Sequence, residues 1–444
     1  MISKGRILIV DDDALIVQTV SHLLHDEGFD TASAADGHEA IEQVHMIEPD
    51  VVLLELWLPG QDGMETLRRL RSESPATAVV MMSGYGSLKM AVKAMQLGAI
   101  DYLEKPFANG DVLHTVQRAL LQSQVKPNAH LRLSKPMPLN GTARRNGTTG
   151  AALRRFSSAA RGPSASLLQR TLYRSVVLQG QGLQSGSRTG LVLDPLPPHQ
   201  GVIFRDLMTR EHLPAHVRWV DSTQFCTSLL KGSVKANTIE HLMSALHAYQ
   251  ITNVLITLGE EVPFMDGSAL AFCQQIEAAG IVEQEALAEC FVVDRCYLYG
   301  SPAPEAKSIL IEPYDGFRIT YRASYPAPVG TQEWTYEHHS GAHYRQEIAP
   351  ARTFGFVRDV EAMHDAGLIP GGRLNNTILL GDGCMVNTAP LRFANEFVRH
   401  KILDIMGDFY LLGQPIRGRI RANMTGHTDN IELVRQLQTA LTTV

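Results

Sequence analysis

Cysteine is scarce and unpaired in this sequence. Cys226, Cys273, Cys290, Cys296 and Cys384 form no CxxC pair and make an odd number, which excludes a disulfide framework and a cysteine zinc knuckle and suits a reducing compartment. Long apolar runs are also missing: no stretch approaches the roughly 20 residues that span a bilayer. The opening MISKGRILIVDDD sets one short apolar run between basic residues and three aspartates, too little for the core of a signal peptide. The expected location is therefore the cytoplasm. Positive charge is not in excess, since 40 basic residues face 46 acidic ones, which excludes wholesale nucleic-acid binding. What the chain does have is 444 residues, 44% of them apolar, enough for two to four domains with sizeable cores.

Residues 1–122 alternate short apolar runs (RILIV, VVLLEL, TAVVMM, DYLEK) with amphipathic helical stretches. That pattern predicts an α/β doubly wound, flavodoxin-like parallel sheet. Ligands bind such sheets beyond the carboxyl ends of the strands, which singles out Asp11, Asp12, Glu55, Ser83 and Lys105. Residues 123–166 lose all periodicity. They carry Lys126, Arg132, Lys135, Arg144, Arg145, Arg154, Arg155 and Arg161 and no acid, as expected of a flexible basic linker. Peripheral contact with an anionic inner-membrane surface is the sharper reading of those charges; a solvated tether is the plainer one. From residue 167 onward strand-like runs (RSVVLQG, GLVLDPL, GVIFRD, FVVDRCYLYG, ILIEPY, FRITYRASY, TILLG) outnumber four clear helices. An α+β unit of two similar halves, 167–290 and 291–444, is expected.

The stretches ILIVDDD, LLELWLPGQDG, MMSGYGS and YLEKPF resemble the receiver domain of bacterial response regulators. The resemblance implies that Asp11 and Asp12 hold Mg2+, that an aspartate closing the third strand accepts phosphate, and that Ser83 and Lys105 contact the phosphoryl group. Here Glu55 stands in the acceptor's place. Two readings follow: a receiver locked in or biased toward its active-like state, or a decayed one kept for dimerisation or as a folded spacer; a protein partner is expected on either. A divalent ion at Asp12 and Glu55 stays open, because hard cations want clustered oxygens.

In NEFVRHKILDIMGD, helical spacing puts His400, Asp404 and Asp408 along one face. A His and a carboxylate at i and i+4 can share one metal, although a polar helix face reads the same way. TIEHLMSALHAY offers Glu240 and His241, and TGH offers His427. Two histidines, a carboxylate and an open position would make a catalytic rather than a structural zinc site.

The stretches LYRSVVLQGQGLQSG, TIEHLMSAL, FMDGSALAF, ARTFGFVRDVEAM, NEFVRHKILDIMGD and TGHTDN resemble, in order and spacing, the LpxC family of UDP-3-O-acyl-N-acetylglucosamine deacetylases of lipid A synthesis. The resemblance implies layered sheets sandwiching helices, with Zn2+ held by His241, His400 and Asp404. It makes Glu240 the general base and His427 a general acid oriented by Asp408. Lys401 and Thr353 would face the oxyanion or substrate phosphates, while Phe354 and Phe356 line the nucleotide and sugar pocket. Residues 354–379, with Gly371 and Gly372, would build an apolar passage for the acyl chain. The chain departs from the family at Gln184, where His is usual, and at Asn237, where Ser is usual. Two other functions remain open at this point: a deacetylase-like sensor module that signals through a partner, and a deacetylase of another UDP-amino sugar.

Overall fold

The computed structural model describes residues 4–60, 62–84, 88–105, 107, 109–123, 168–303, 305–365, 368–381, 385–387 and 389–442. The basic tether and Cys384 lie outside the described residues.

The N-terminal part runs β1 (Arg6–Val10), α1 (Ala14–Asp26), β2 (Asp30–Ala34), α2 (Gly37–Ile47), β3 (Val51–Glu55), α3 (Gly63–Glu73), β4 (Ala78–Ser83), α4 (Leu88–Gln96), β5 (Asp101–Glu104) and α5 (Asn109–Ser123). Its sheet has the order β2-β1-β3-β4-β5 and is parallel throughout. Parallel strands are covered on both faces, and alternate residues accordingly enter two cores. Leu8, Val10, Val52, Leu54, Val79 and Met81 pack on one side; Ile7, Ile9, Val51, Leu53, Val80 and Met82 pack on the other. Aspartates start three of the helices: Asp13, Asp36 and Asp62 each accept backbone N–H bonds from the first turns of α1, α2 and α3, satisfying otherwise orphaned donors.

The C-terminal part continues with β6 (Leu168–Leu172), β7 (Val176–Gln181), β8 (Arg188–Pro195), β9 (Val202–Asp206), β10 (His212–Pro214), β11 (Val220–Ser222), β12 (Ser228–Lys231), β13 (Val234–Ala236), α6 (Glu240–Ala248), β14 (Val254–Leu258), α7 (Leu270–Ala279) and β15 (Ile281–Leu287). There follow β16 (Phe291–Val292), β17 (Tyr297–Gly300), β18 (Ser308–Glu312), β19 (Phe317–Ser324), β20 (Thr331–Glu337), α8 (Gly341–Glu347), β21 (Phe354–Phe356), α9 (Val357–Asp365), β22 (Ile378–Leu380), α10 (Glu396–Phe409), β23 (Ile416–Asn423) and α11 (His427–Thr442).

The two main sheets share one topology. They run β7-β8-β14-β9-β10 and β17-β18-β23-β19-β20, and within each set of five only the last strand in sequence and its third-strand neighbour are parallel. Each half also inserts a small unit after its fourth strand, β11-β12-β13 in the first and β21-α9-β22 in the second. Between the sheets lie α6 and α10. Every residue of α6 is buried, which fits a helix with neighbours all round. The helices cross closely because Gly407 has no side chain: a Cβ there would lie 2.1 Å from the Glu240 carbonyl oxygen. Leu242, Leu246, Ile402 and Met406 join both halves in one apolar cluster.

Two sequence expectations change. Helices α8 and α9 add to the four expected, and α9 lies inside the segment expected to form the acyl passage. FVVDRCYLYG forms two strands, not one, broken at residues 293–296. Among the described residues, no helix is long and apolar enough to cross a membrane.

Candidate active site

Local strain sets the start of α6. Thr238, a β-branched residue, has φ 57°, an unfavourable conformation for its type. Its hydroxyl donates to the buried Glu261 carboxylate at 3.1 Å, which also takes the backbone N–H groups of Gln184 and Ser185 at 2.7 and 3.0 Å. This bend makes Glu240 the first residue of α6 and puts His241 beside it. The Glu240 carboxylate accepts the Thr227 N–H at 3.0 Å.

On α10, His400 Nδ1 meets the Ala351 carbonyl at 3.1 Å, which leaves Nε2 for a ligand. His400 Nε2 and His241 Nε2 lie 3.5 and 3.8 Å from Asp404 Oδ1. The imidazoles meet edge to face with centroids 5.1 Å apart, and Phe264 stacks on His241 at 5.7 Å. Among the described residues, His241, His400 and Asp404 form the one group whose ligand atoms could surround a metal, all within 4.8 Å of one another. The donor set, two imidazoles and a carboxylate, fits zinc.

Burial and neighbouring charge set the protonation states. Burial, helped by His400, lowers His241 to about 3, and burial likewise lowers His400, so both rings are neutral as ligands must be. Burial opposes ionisation of Asp404, but Lys401 and His400 outweigh it and hold the carboxyl well below its usual range. Lys401 donates to Asp404 Oδ2 at 3.0 Å; burial opposes its charge, but Asp404 outweighs burial and raises the ammonium. Burial pushes Glu240 up to about 7 against the opposing pull of His427.

His427 opens α11 and bonds through Nδ1 to Asp408 Oδ2 at 2.9 Å. Asp408 is fully buried and also accepts Thr227 Oγ1 at 2.6 Å and Asn430 Nδ2 at 2.9 Å. Burial lowers His427, but Asp408, Asp404 and Glu240 outweigh it and raise the ring to about 10.

Phe354 lies 6.4 Å from the His400 ring and packs on Phe397 and Tyr325, while Lys401 sits 5.6 Å over its face. Phe356 is farther along, against Tyr325 and Arg358. Thr353 is half-buried where the insert meets the body: its N–H donates to Gly267 and its carbonyl accepts from Ile378. Gly372 is buried in the turn that begins at Ile369. Sequence reasoning missed Thr227, Phe264 and Asn430 as partners of the site. Asn430 stands within TGHTDN and Phe264 opens FMDGSALAF; Thr227 reaches the site only through the fold.

At the sheet end of the N-terminal part, the three aspartates divide their roles. Asp13 caps α1, Asp12 is exposed, and Asp11 is buried. Lys105 ion-pairs with Asp11 at 2.5 Å and with Glu55 as well. Burial opposes the Lys105 charge, but the two carboxylates outweigh it and raise the ammonium. Ser83 is fully buried on β4, and its carbonyl accepts the Lys105 N–H.

A carboxylate that titrates near neutrality, a protonated imidazole and a ligand cluster on two facing helices suit hydrolysis, and the protein is a hydrolase. Residues 169–439 match the LpxC family model, described as UDP-3-O-acyl N-acetylglycosamine deacetylase, and residues 7–117 match that of the response regulator receiver domain. The chain is 41% identical over 273 residues to the UDP-3-O-acyl-N-acetylglucosamine deacetylase of Myxococcus xanthus, covering 61% of this chain and 86% of that protein. It is 40% identical over 279 residues to the enzyme of the same name from Neisseria gonorrhoeae, covering 61% and 89%. Among solved structures, the receiver domain of NtrX from Brucella abortus is 38% identical over 26% of this chain and 98% of that one, with a TM-score of 0.25. The chain belongs to the LpxC family of deacetylases and carries a receiver domain ahead of the deacetylase.

Proposed function

We propose that this chain hydrolyses the N-acetyl group of UDP-3-O-acyl-N-acetylglucosamine with zinc held by His241, His400 and Asp404. The observation that carries the reading is the buried three-ligand cluster flanked by Glu240 and by the His427–Asp408 pair. A zinc ion in that cluster supplies Lewis acidity, polarising an amide carbonyl and making water acidic near neutral pH.

Glu240, which ionises near pH 7, takes the proton from the attacking water. His427, protonated and oriented by Asp408, gives a proton to the departing glucosamine nitrogen. Lys401 and Thr353 donate to charge that develops on the acetyl oxygen. Phe354 and Phe356 give the nucleotide and sugar apolar surface, and the β21-α9-β22 insert, with Gly372 in its turn, guides the acyl chain. The match spans 86–89% of the length of these deacetylases, which supports the same activity here. Assay of purified protein with zinc on acylated and unacylated UDP-N-acetylglucosamine tests the reading. Turnover of the unacylated sugar at an equal rate would move the substrate to another UDP-amino sugar, and no turnover of either would favour a sensor.

The receiver domain, on this reading, does not accept phosphate in the usual way. Glu55 ends β3 already ion-paired with Lys105, so charge and counter-ion are in place without a phosphoryl group. Its output is contact with protein, either a second copy or the deacetylase portion of its own chain.

A further inference from the structure

We propose that α4 of the receiver domain braces the β21-α9-β22 insert, so that the receiver sets the order of the segment beside the ligand cluster. Helix α4 packs against α9. Val92 of α4 is buried in an apolar cluster with Val360 of α9, Leu379 of β22, Leu183 and Phe264. Phe264 is the ring that stacks on His241. One continuous apolar contact therefore runs from the receiver, through the insert, to a ligand of the site.

Met95 and Leu374 tie the joint from both sides, since each packs against this cluster and against the receiver's own core. A polar seam completes it. Glu104 at the end of β5 accepts the Asn375 N–H and faces the Arg373 guanidinium. Beside it, a cavity of about 200 Å³ is walled by Tyr102, Glu104 and Lys105 on one side and Leu374, Asn375 and Asn387 on the other. Lys105 is also the counter-ion of Asp11 and Glu55, which puts the receiver's charged pocket one residue from the insert. The insert is itself seated tightly: a Cβ on Gly371 would lie 1.9 Å from the Gly182 carbonyl oxygen. Loss of the brace therefore loosens α9 without releasing the whole insert.

The test uses the full chain with Val92→Asp and, as a gentler change at a half-buried position, Met95→Ser. Amide hydrogen exchange is expected to quicken across α9, Val357–Asp365, in both variants, with Val51–Ser83 of the receiver core still protected. KM for the acylated substrate should rise roughly five-fold, the low end of ordinary coupling between sites, at unchanged zinc content. The exchange readout is independent of substrate, whereas the KM readout rests on the proposed role of the insert. Faster exchange at unchanged KM would support the brace and overturn the passage reading. Unchanged exchange of the insert in Met95→Ser, together with unchanged exchange in Val92→Asp or an unfolded receiver there, would overturn the brace.

Discussion

Asp408→Asn replaces one buried carboxylate oxygen by an amide nitrogen at the centre of the pair that holds His427. The His427 ring stands at about 10 against an ordinary 6.5, a difference of on the order of 5 kcal/mol at about 1.4 kcal/mol per pH unit. Burial acts in the opposite direction, so carboxylates supply more than that whole difference. Asp408 is the largest of them, through both its charge and its bond to Nδ1. With Asp404 and Glu240 still present, removal of this one charge should lower His427 by about 2 pH units or more. The asparagine keeps the volume and can still accept from Thr227, so the helix crossing should survive.

The assay is kcat/KM across pH, with zinc content measured on the same samples. The wild-type profile should rise near pH 7, where Glu240 loses its proton, and fall near pH 10, where His427 loses its own. In Asp408→Asn the falling limb should move to about pH 8 or below, and activity at pH 9 should drop roughly ten-fold or more because the acid form is depleted. Zinc should stay near one per chain, since Asp408 is not in the ligand cluster. An unmoved falling limb would show that His427 is not the acid or that Asp408 does not hold it. Loss of zinc would show that Asp408 belongs to the metal site itself.

His241→Ala should lose most bound zinc and nearly all turnover, whereas Glu240→Ala should keep its zinc and lose turnover by on the order of 10² to 10⁴; metal analysis beside the rate assay separates the two. Gly407→Ala should force α6 and α10 apart and cost at least about 2 kcal/mol. A drop in thermal midpoint of less than about 2 °C would contradict the close approach at Glu240. Acetyl phosphate with Mg2+ should leave the wild-type receiver unlabelled and label Glu55→Asp in a manner dependent on Asp11 and Asp12; labelling of Glu55 itself would refute the proposal.

The parallel sheet was legible because its inner strands are apolar runs: Ile7–Val10 and Val51–Leu54 are buried on both faces and show no polar alternation, whereas the edge strand β2, Asp30–Ala34, is polar and half-exposed and gave no such run. The opposite case hid β23, the central strand of the second half. There Arg417, Arg419 and Arg421 alternate with Gly418, Ile420 and Ala422, and only the second set faces the core, so mean hydropathy gives no signal. Spacing alone placed His400, Asp404 and Asp408 on one face of α10. It could not bring His241 to them, because that contact depends on helices 159 residues apart meeting at Gly407. Resemblance supplied that pairing. The bond from Thr227 to Asp408 lay beyond either approach, since a lone threonine in the loop just ahead of β12 carries no pattern.

The duplicated topology has a thermodynamic consequence. Helices α6 and α10 precede the last sheet strand in their respective halves, and each brings a histidine to the same point, with Asp404 joining from α10. Neither repeat owns a complete site. An ion held there acts as a clasp across the seam between the repeats, and binding to the folded chain alone deepens its stability, by about 2.7 kcal/mol when free metal is a hundred times its dissociation constant. On the proposed reading the catalytic centre is also a fastening, and a cell's supply of metal would bear on the integrity of the molecule as well as on its rate.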